Sequence, residues 1–570
     1  VKAVVRARPR RRAHLVAAGV ALSLLGVALA ELAARRLAPV TAEEQHETEL
    51  LQYTLNFLQP CARVEGDGWR ETPRRIDPSR PPPPGRLLTA RPPPGVSRVI
   101  VVGESSAWLL ASGMQRAVAA SPCGARVEVW NCGVPAGAPE LVELRVREAY
   151  RYAPDALVLV FGHNLHYRFV PQTEAAVRLQ IARSRSRLLT LAAQRWARRS
   201  PDRPPPAEAD AQGRPVRGRT QAGRTDADIG RTARMLTRVA DEARRRGVPM
   251  VMSTMPSNRW MPPTVRDEDR VDPRFLEARY LRARGRREAA RAALSALAGQ
   301  REVALDAYTL GDWALEDGDA AGARAWLDRA ITLSPSLARA PDALNDVVRQ
   351  VARRASLPLR DLAADLAVSA PEGTPSWESF SDNCHLLPAA NDREALRFLD
   401  LAREVARPGS AGLCPVTARP DPPIHPTAML VTLASSLARE SDRGEHIPWD
   451  LVLTSMVARM LRIDPGYDQA VTFFLEGDPP SLREARTRDR VVTAIAAGYR
   501  RAGNVSRAEA LEARVLRDDG WVGAWVQSAL GRLAAGDPAG ASQRLSRALT
   551  RDADDPSARF FARRLAADVP

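Results

Sequence analysis

Lysine is all but missing from this 570-residue chain: Lys2 is the only one, so the formal charge of +16 is carried by arginine. A strongly basic chain first raises a polyanion partner. Here, however, the arginines are interspersed with acidic residues, as along 229–246, and no zinc-finger spacing, RNA-binding sheet signature or basic region followed by heptads is present. No nucleic-acid partner is expected. Cysteine is scarce and odd in number, at 5, leaving at least one thiol without an intrachain partner. Cys123 and Cys132 flank an expected strand, Arg126 to Trp130, and are candidates for pairing at its edge. No Cys/His cluster has structural-zinc spacing, and His163 and His166 lack a nearby carboxylate set, so neither a metal nor a cofactor is expected. Long apolar runs are also rare. Leu15 to Ala30 is free of charge, follows Arg6, Arg8, Arg10, Arg11 and Arg12, and precedes Glu31, Arg35 and Arg36. This pattern predicts an export signal or membrane anchor over 1–37, with Ala28, Leu29 and Ala30 as a small-x-small cleavage site. The expected location is a bacterial inner membrane, held by the N-terminal helix with the remainder on the periplasmic or external side, or secretion after cleavage.

What the chain does have is a change of pattern along its length. Residues 38–95 combine a helix-compatible stretch, Glu47 to Leu58, with Pro81, Pro82, Pro83 and Pro84, and read as a stalk and an extended entry segment. From Arg98 short apolar runs alternate with helical stretches. The expected strands are Arg98 to Val102, Arg126 to Trp130, Ala156 to Phe161, Pro249 to Ser253 and Leu357 to Leu362. The expected helices are Ala107 to Ala119, Glu140 to Arg151, Glu174 to Arg198, Ile229 to Arg246 and Ala338 to Arg354. Such alternation predicts a mostly parallel sheet covered by helices, over 96–403, with ligands at the carboxyl ends of the strands. Insertions interrupt it at 201–228, a polar loop rich in Pro, Gly and Arg, and at 272–335. A Pro- and Gly-rich linker, 404–427, separates it from a helical domain, 428–570.

Within the second insertion, Leu310, Gly311, Ala314, Gly318, Ala323, Leu327, Ala330 and Pro335 recur at the offsets of a 34-residue helix-turn-helix unit, and this resembles a tetratricopeptide repeat. Small residues let the paired helices approach, and larger ones fill the seam with the next pair. The pattern returns at Ala496, Tyr499, Gly503 and Ala508, and again at Trp525, Ala529, Gly536, Ala541, Leu545 and Ala548. GDAAGARAWLDRAI at Gly318 and GDPAGASQRLSRAL at Gly536 share wording. The resemblance implies a protein partner for these helices.

The chemistry centres on Val99 to Trp108, VIVVGESSAW. A buried strand ending at Gly103 and turning into a helix presents a serine hydroxyl at the sheet's carboxyl edge, beside unpaired helix N–H groups. Past the second strand come Asn131, Cys132 and Gly133; past the third, Gly162, His163 and Asn164; past the fifth, Phe380 to Pro388, with Asp382 and His385. Ser105 supplies a hydroxyl, Asp382 and His385 a base with its orienter, and Gly133 N–H with the Asn164 amide two donors. Taken in order, Ser105, Gly133, Asn164 and the Asp382-x-x-His385 pair resemble the four blocks of the SGNH hydrolases, the GDSL esterase/lipase superfamily. The chain departs from that pattern at Glu104, where Asp is usual, and at Leu165.

The resemblance implies a three-layer α/β/α sandwich and an acyl-enzyme mechanism. Ser105 is the nucleophile, His385 the base and Asp382 its orienter, while Ser105 N–H, Gly133 N–H and Asn164 form the oxyanion hole. The implied activity is that of a serine esterase or deacylase on a small acyl ester or an O-acylated glycan, such as a cell-envelope polymer. An O-acyltransferase differs only in the acceptor, and a non-catalytic repeat-containing interaction protein is the remaining alternative. Ser106 is the rival serine and reads as a cap. Trp108 walls the acyl group or packs the helix, Cys384 packs, and Thr254 to Arg259 contributes to the substrate rim.

Overall fold

The computed structural model describes residues 26–38, 59–72, 85–121, 126–167, 186–199, 221–334, 336–406, 426–438, 446–477, 479, 482–517 and 520–568. The chain divides into two compact units, the first made of 1–89 with 168–217 and the second of 90–167 with 218–570.

In the first unit, β1 (Ala62–Glu65), β2 (Gly68–Glu71) and β3 (Leu87–Thr89) form an antiparallel sheet where a stalk was expected. The expected helix at 47–58 and the proline run at 81–84 lie outside the described residues. Residues 26–37 are helical, and Glu31 accepts from Ser186 Oγ (2.9 Å), Arg187 N (2.8 Å) and Leu188 N (3.0 Å) at the start of the helix Arg187–Arg199. Glu31 thus satisfies orphan N–H groups of another helix. A membrane crossing needs about 20 consecutive apolar residues. Among the described residues no helix is long and apolar enough to cross a membrane. This overturns the membrane-anchoring helix, the membrane as partner and the inner-membrane location that rested on it, while Leu15 to Leu25 of the expected run lie outside the described residues.

The second unit runs β4 (Ser97–Gly103), α1 (Ser105–Ala120), β5 (Val127–Gly133), α2 (Pro139–Ala149), β6 (Ala156–Val160), α3 (Gln221–Arg246) and β7 (Met250–Ser253). Four helices follow, α4 (Pro273–Ala283), α5 (Arg287–Gln300), α6 (Ala304–Glu316) and α7 (Ala320–Leu333), and then α8 (Asp342–Ala355), β8 (Leu359–Arg360), α9 (Leu362–Ser369) and α10 (Pro388–Ala406). The sheet is wholly parallel, in the order β5-β4-β6-β7-β8. Val99 to Val102 are buried on both faces, as a central parallel strand requires. Helices α1 and α10 pack together against it, as do α2, α3 and α8. The result is a mixed α/β domain, a parallel sheet flanked by helices.

Three boundaries differ from expectation for local reasons. β8 has two residues because Pro358 lacks an N–H and Asp361 already caps α9, accepting from Ala364 N. Helix α3 starts at Gln221, so 221–228 is helix where loop was expected. Much of the expected helix at 174–198 lies outside the described residues, as do Cys123 and 407–425 of the linker expected at 404–427, whose two ends are helical. Cys61 and Cys132 are each disulfide-bonded, whereas Cys384 is a free, buried thiol.

An all-helical region follows: α11 (Pro426–Ala438), α12 (Trp449–Ile463), α13 (Tyr467–Glu476), α14 (Ala485–Arg501), α15 (Val505–Val515), α16 (Val522–Ala534), α17 (Pro538–Arg551) and α18 (Pro556–Asp568). One turn chemistry joins successive pairs. Gly318, Gly503 and Gly536 take positive φ at the turn. The next residue, Asp319, Asn504 or Asp537, caps the second helix by accepting from Gly322 N, Arg507 N or Gly540 N. This region is not a detached tail. Trp260, Leu327 and Trp377 share one core with Val452, Leu453, Met456 and Ile495.

Candidate active site

Strand order makes the site. β4 is followed in sequence by β5 on one side and β6 on the other, so the crossover direction reverses at β4 and a crevice opens at the carboxyl ends of β5, β4 and β6. Gly103, paired with Gly133 and Val160, lies at that edge. A Cβ on Gly103 would stand 1.8 Å from Val160 O, and one on Gly133 would stand 2.4 Å from Trp108 N, so β4 and α1 can approach their neighbours only with glycine there. Ser105 is consequently the first residue of α1, with Glu104 at the cap position.

The partner side chains come from a compact hairpin. Phe380 and Leu386 form a bridge, and Ser381 N donates to His385 O at 2.9 Å. Within this turn Asp382 Oδ1 accepts from Cys384 N (2.9 Å) and His385 N (2.8 Å), while Asp382 Oδ2 lies 2.7 Å from His385 Nδ1. His385 Nε2 lies 2.7 Å from Ser105 Oγ. With Nδ1–H donating to Asp382, Nε2 is left to accept from the serine hydroxyl. Burial lowers the His385 pKa, but the hydrogen bond and charge of Asp382, with the charge of Glu104, outweigh it and raise the value above 6.5. For Asp382 burial acts upward and is outweighed by the His385 hydrogen bond and charge and by the Cys384 and His385 amides, so its pKa falls below 3.8.

Glu104 is fully buried and braces the opposite wall. Its Oε1 accepts from Gly162 N (3.2 Å) and His163 N (2.8 Å), and Oε2 from Asn164 N (2.9 Å). Burial raises its pKa to about 7 against the pull of those amides and of His385. The Asn164 amide nitrogen is buried with no partner among the described residues. The Gly133 N–H, by contrast, donates to Asn131 Oδ1 at 3.1 Å, and Asn131 Nδ2 donates to Trp108 O at 3.0 Å. Asn164 is therefore the freer of the two expected donors. Ser106 Oγ is buried and unpartnered, and no bond links it to His385. Trp108 is partly buried.

A cavity of about 20 Å³, room for about one water, lies beside the turn between Ser106, Leu110, His163, Met255, Cys384 and Phe398. Both ring nitrogens of His163 are unpartnered, and burial followed by the charge of His385 lowers its pKa to about 3, so the ring is neutral. His166 is held elsewhere, with Nδ1 2.9 Å from Asp228 Oδ2, while Arg231 donates to Tyr167 O at 3.0 Å and to Leu165 O. Among the described residues one group has metal-ligand character, Asp382, Cys384 and His385, with atoms within 4.8 Å of one another. In that group Nδ1 is engaged with Asp382, and burial with the charges of Asp382 and Glu104 keeps the Cys384 thiol well above its ordinary range.

The segment expected to rim the substrate is instead a buried brace. Thr254 to Arg259 is buried throughout. Asn258 Nδ2 donates to Asp382 O at 2.9 Å and Asn258 N to Asn383 O at 3.1 Å. Sequence reasoning missed this role, and missed the Asp228 and Arg231 clamp. Only the position of TMPSNR, directly after an expected strand, carried a signal. Comparison with family models, curated proteins and solved structures returns no match to this chain.

Proposed function

We propose that this chain is a serine esterase or deacylase of the SGNH type, working through an acyl-enzyme. The observation that supports it is the unbroken relay from Asp382 through His385 to Ser105 Oγ, at a helix N-terminus and beside the unpartnered Asn164 amide. In this reading the α/β domain is a three-layer sandwich of that family, and the helix pairs with their Gly-Asp or Gly-Asn turns are tetratricopeptide-like. Ser105 Oγ attacks the acyl carbon while its proton passes to His385 Nε2, and Asp382 stabilises the imidazolium. Asn164 and the first N–H groups of α1 receive the developing oxyanion. Collapse breaks the ester bond, and the leaving alcohol takes the proton from Nε2. Water, deprotonated by the same nitrogen, then releases the acid.

A fluorophosphonate probe and p-nitrophenyl acetate test the proposal on the parent, Ser105→Ala and His385→Ala proteins. Labelling of the parent at Ser105, with turnover lost in both variants, is the expected result. An unlabelled parent with identical turnover in all samples overturns it. Labelling at Ser105 with acyl transfer to an added sugar and no hydrolysis reassigns the protein as an acyltransferase.

A further inference from the structure

We propose that Arg459, on α12 of the helical region, is a positioning residue for the Asp382 and His385 turn. This rests on the reading of Ser105, His385 and Asp382 as the reacting set. Arg459 is 1% exposed, an unusual position for a guanidinium unless it is fully paired. Its Nε donates to Ser376 Oγ (3.0 Å), Nη1 to Glu372 Oε2 (2.7 Å) and Nη2 to Pro371 O (3.0 Å), and its carbon lies 4.7 Å from the centre of the Trp260 ring. One residue thereby grips both supports of the turn.

The first support is the chain leading into the hairpin. Ser376 O accepts from Ser379 N (2.9 Å) and Phe380 N (3.0 Å), and Ser379 O accepts from Leu387 N (2.8 Å), which closes the strands on either side of Asp382 and His385. The second is Trp260. Its carbonyl accepts from Ser455 Oγ, again on α12, at 2.6 Å, and its N–H donates to Asn258 Oδ1 at 3.1 Å. Asn258 is completely buried and holds Asp382 O and Asn383 O. Two hydrogen-bonded routes thus run from one helical turn of α12 to the backbone of the proposed catalytic pair. An arginine needed only to tie the helical region to the domain would not have to meet both.

The test measures the rate of fluorophosphonate labelling per folded molecule, from about pH 5 to 9, on full-length parent, Arg459→Gln, Arg459→Lys, Asn258→Ala and the Asn258→Ala/Arg459→Gln double variant. Displacement of the pair predicts labelling slower by roughly 10–100-fold in Arg459→Gln. The acid limb should move to lower pH, as His385 loses the hold of Asp382 while Glu104, His163 and Cys384 still surround it. Lysine keeps the charge over Trp260 but cannot reach Ser376, Glu372 and Pro371 together, so it should give an intermediate rate. Because Asn258 lies on a route from Arg459, the double variant should be slower than the slower single by no more than about twofold. Unchanged rate and pH limb in folded Arg459→Gln, or in Arg459→Lys should the first not fold, overturn the proposal, as do multiplicative effects in the double variant. An unlabelled parent overturns the esterase reading together with it, whereas a labelled parent with unaffected variants overturns the positioning role alone.

Discussion

His385 can act as a base only while neutral, and its pKa lies above 6.5 because Asp382 and Glu104 outweigh the effect of burial. The acylation rate should therefore rise with pH through a value above 6.5, measured as probe labelling against pH. In Asp382→Asn the stabilising charge is gone, so the limb should move down in pH while the rate falls on the order of 10²–10⁴-fold. Glu104 supplies a second residue-level prediction. Its folded pKa is about 7 against 4.5 for the free side chain. The folded protein therefore holds the proton longer, and stability is lost as pH rises from 4.5 through 7, by on the order of 3 kcal/mol. Glu104→Gln should flatten the dependence of the melting temperature on pH across that window. It should also slow labelling by roughly tenfold or more, because the amide NH₂ would oppose one of the three N–H groups that Glu104 now receives. A melting profile as steep as the parent's counts against the assigned titration. Glu104 was visible in the sequence only as a departure from a motif; its contact with 162–164 depends on the pairing of β4 with β6, which no local pattern encodes.

At the scale of elements, what could be read depended on how uniform each segment was. Val99 to Val102 and Ala156 to Val160 are unbroken apolar runs, and both became central strands. The final strand could not be bounded, because the pleat continues for only two residues between Pro358 and the capped start of α9. The anchor reading took Glu31 only as the charged flank that ends the run Leu15 to Ala30, whereas its carboxylate receives the first amides of another helix. The junction of β4 with α1 offers an element-level test. Gly133→Ala puts a methyl 2.4 Å from Trp108 N, with backbone rather than a flexible side-chain end in the way. The helix carrying Ser105 must then shift. Folded protein should label at least about 10-fold more slowly, with a lower melting temperature, since small misplacements of reacting groups cost heavily. Gly247→Ala, whose added methyl meets nothing within 4 Å but which sits at φ +64, is the matching control. It should lower stability by about 1 kcal/mol and leave the labelling rate per folded molecule unchanged.

For the second unit as a whole, the main question is whether its helical region is an appendage. The repeated wording at Gly318 and Gly536 made the helix pairs legible, because turn chemistry is local. Their docking was not legible: an arginine or a serine on an amphipathic helix, such as Arg459 or Ser455, reads as solvated until the surface opposite is known. Val452, Leu453, Met456 and Val457 are completely buried in a core shared with Trp260, Leu327, Leu333 and Trp377. Removing the helices would expose several large side chains worth about 1.5–3 kcal/mol each. Total domain stability is only about 5–15 kcal/mol. A chain ending at Ala406 should therefore lose its cooperative melting transition and its probe labelling together, even though it retains Ser105, Asn164, Asp382 and His385. Calorimetry and labelling on the shortened chain check this directly. A sharp transition with labelling at the parent's rate would mean that the α/β domain stands alone, and that the contacts of α12 with Trp260 and Ser376 attach the helices without supporting the site.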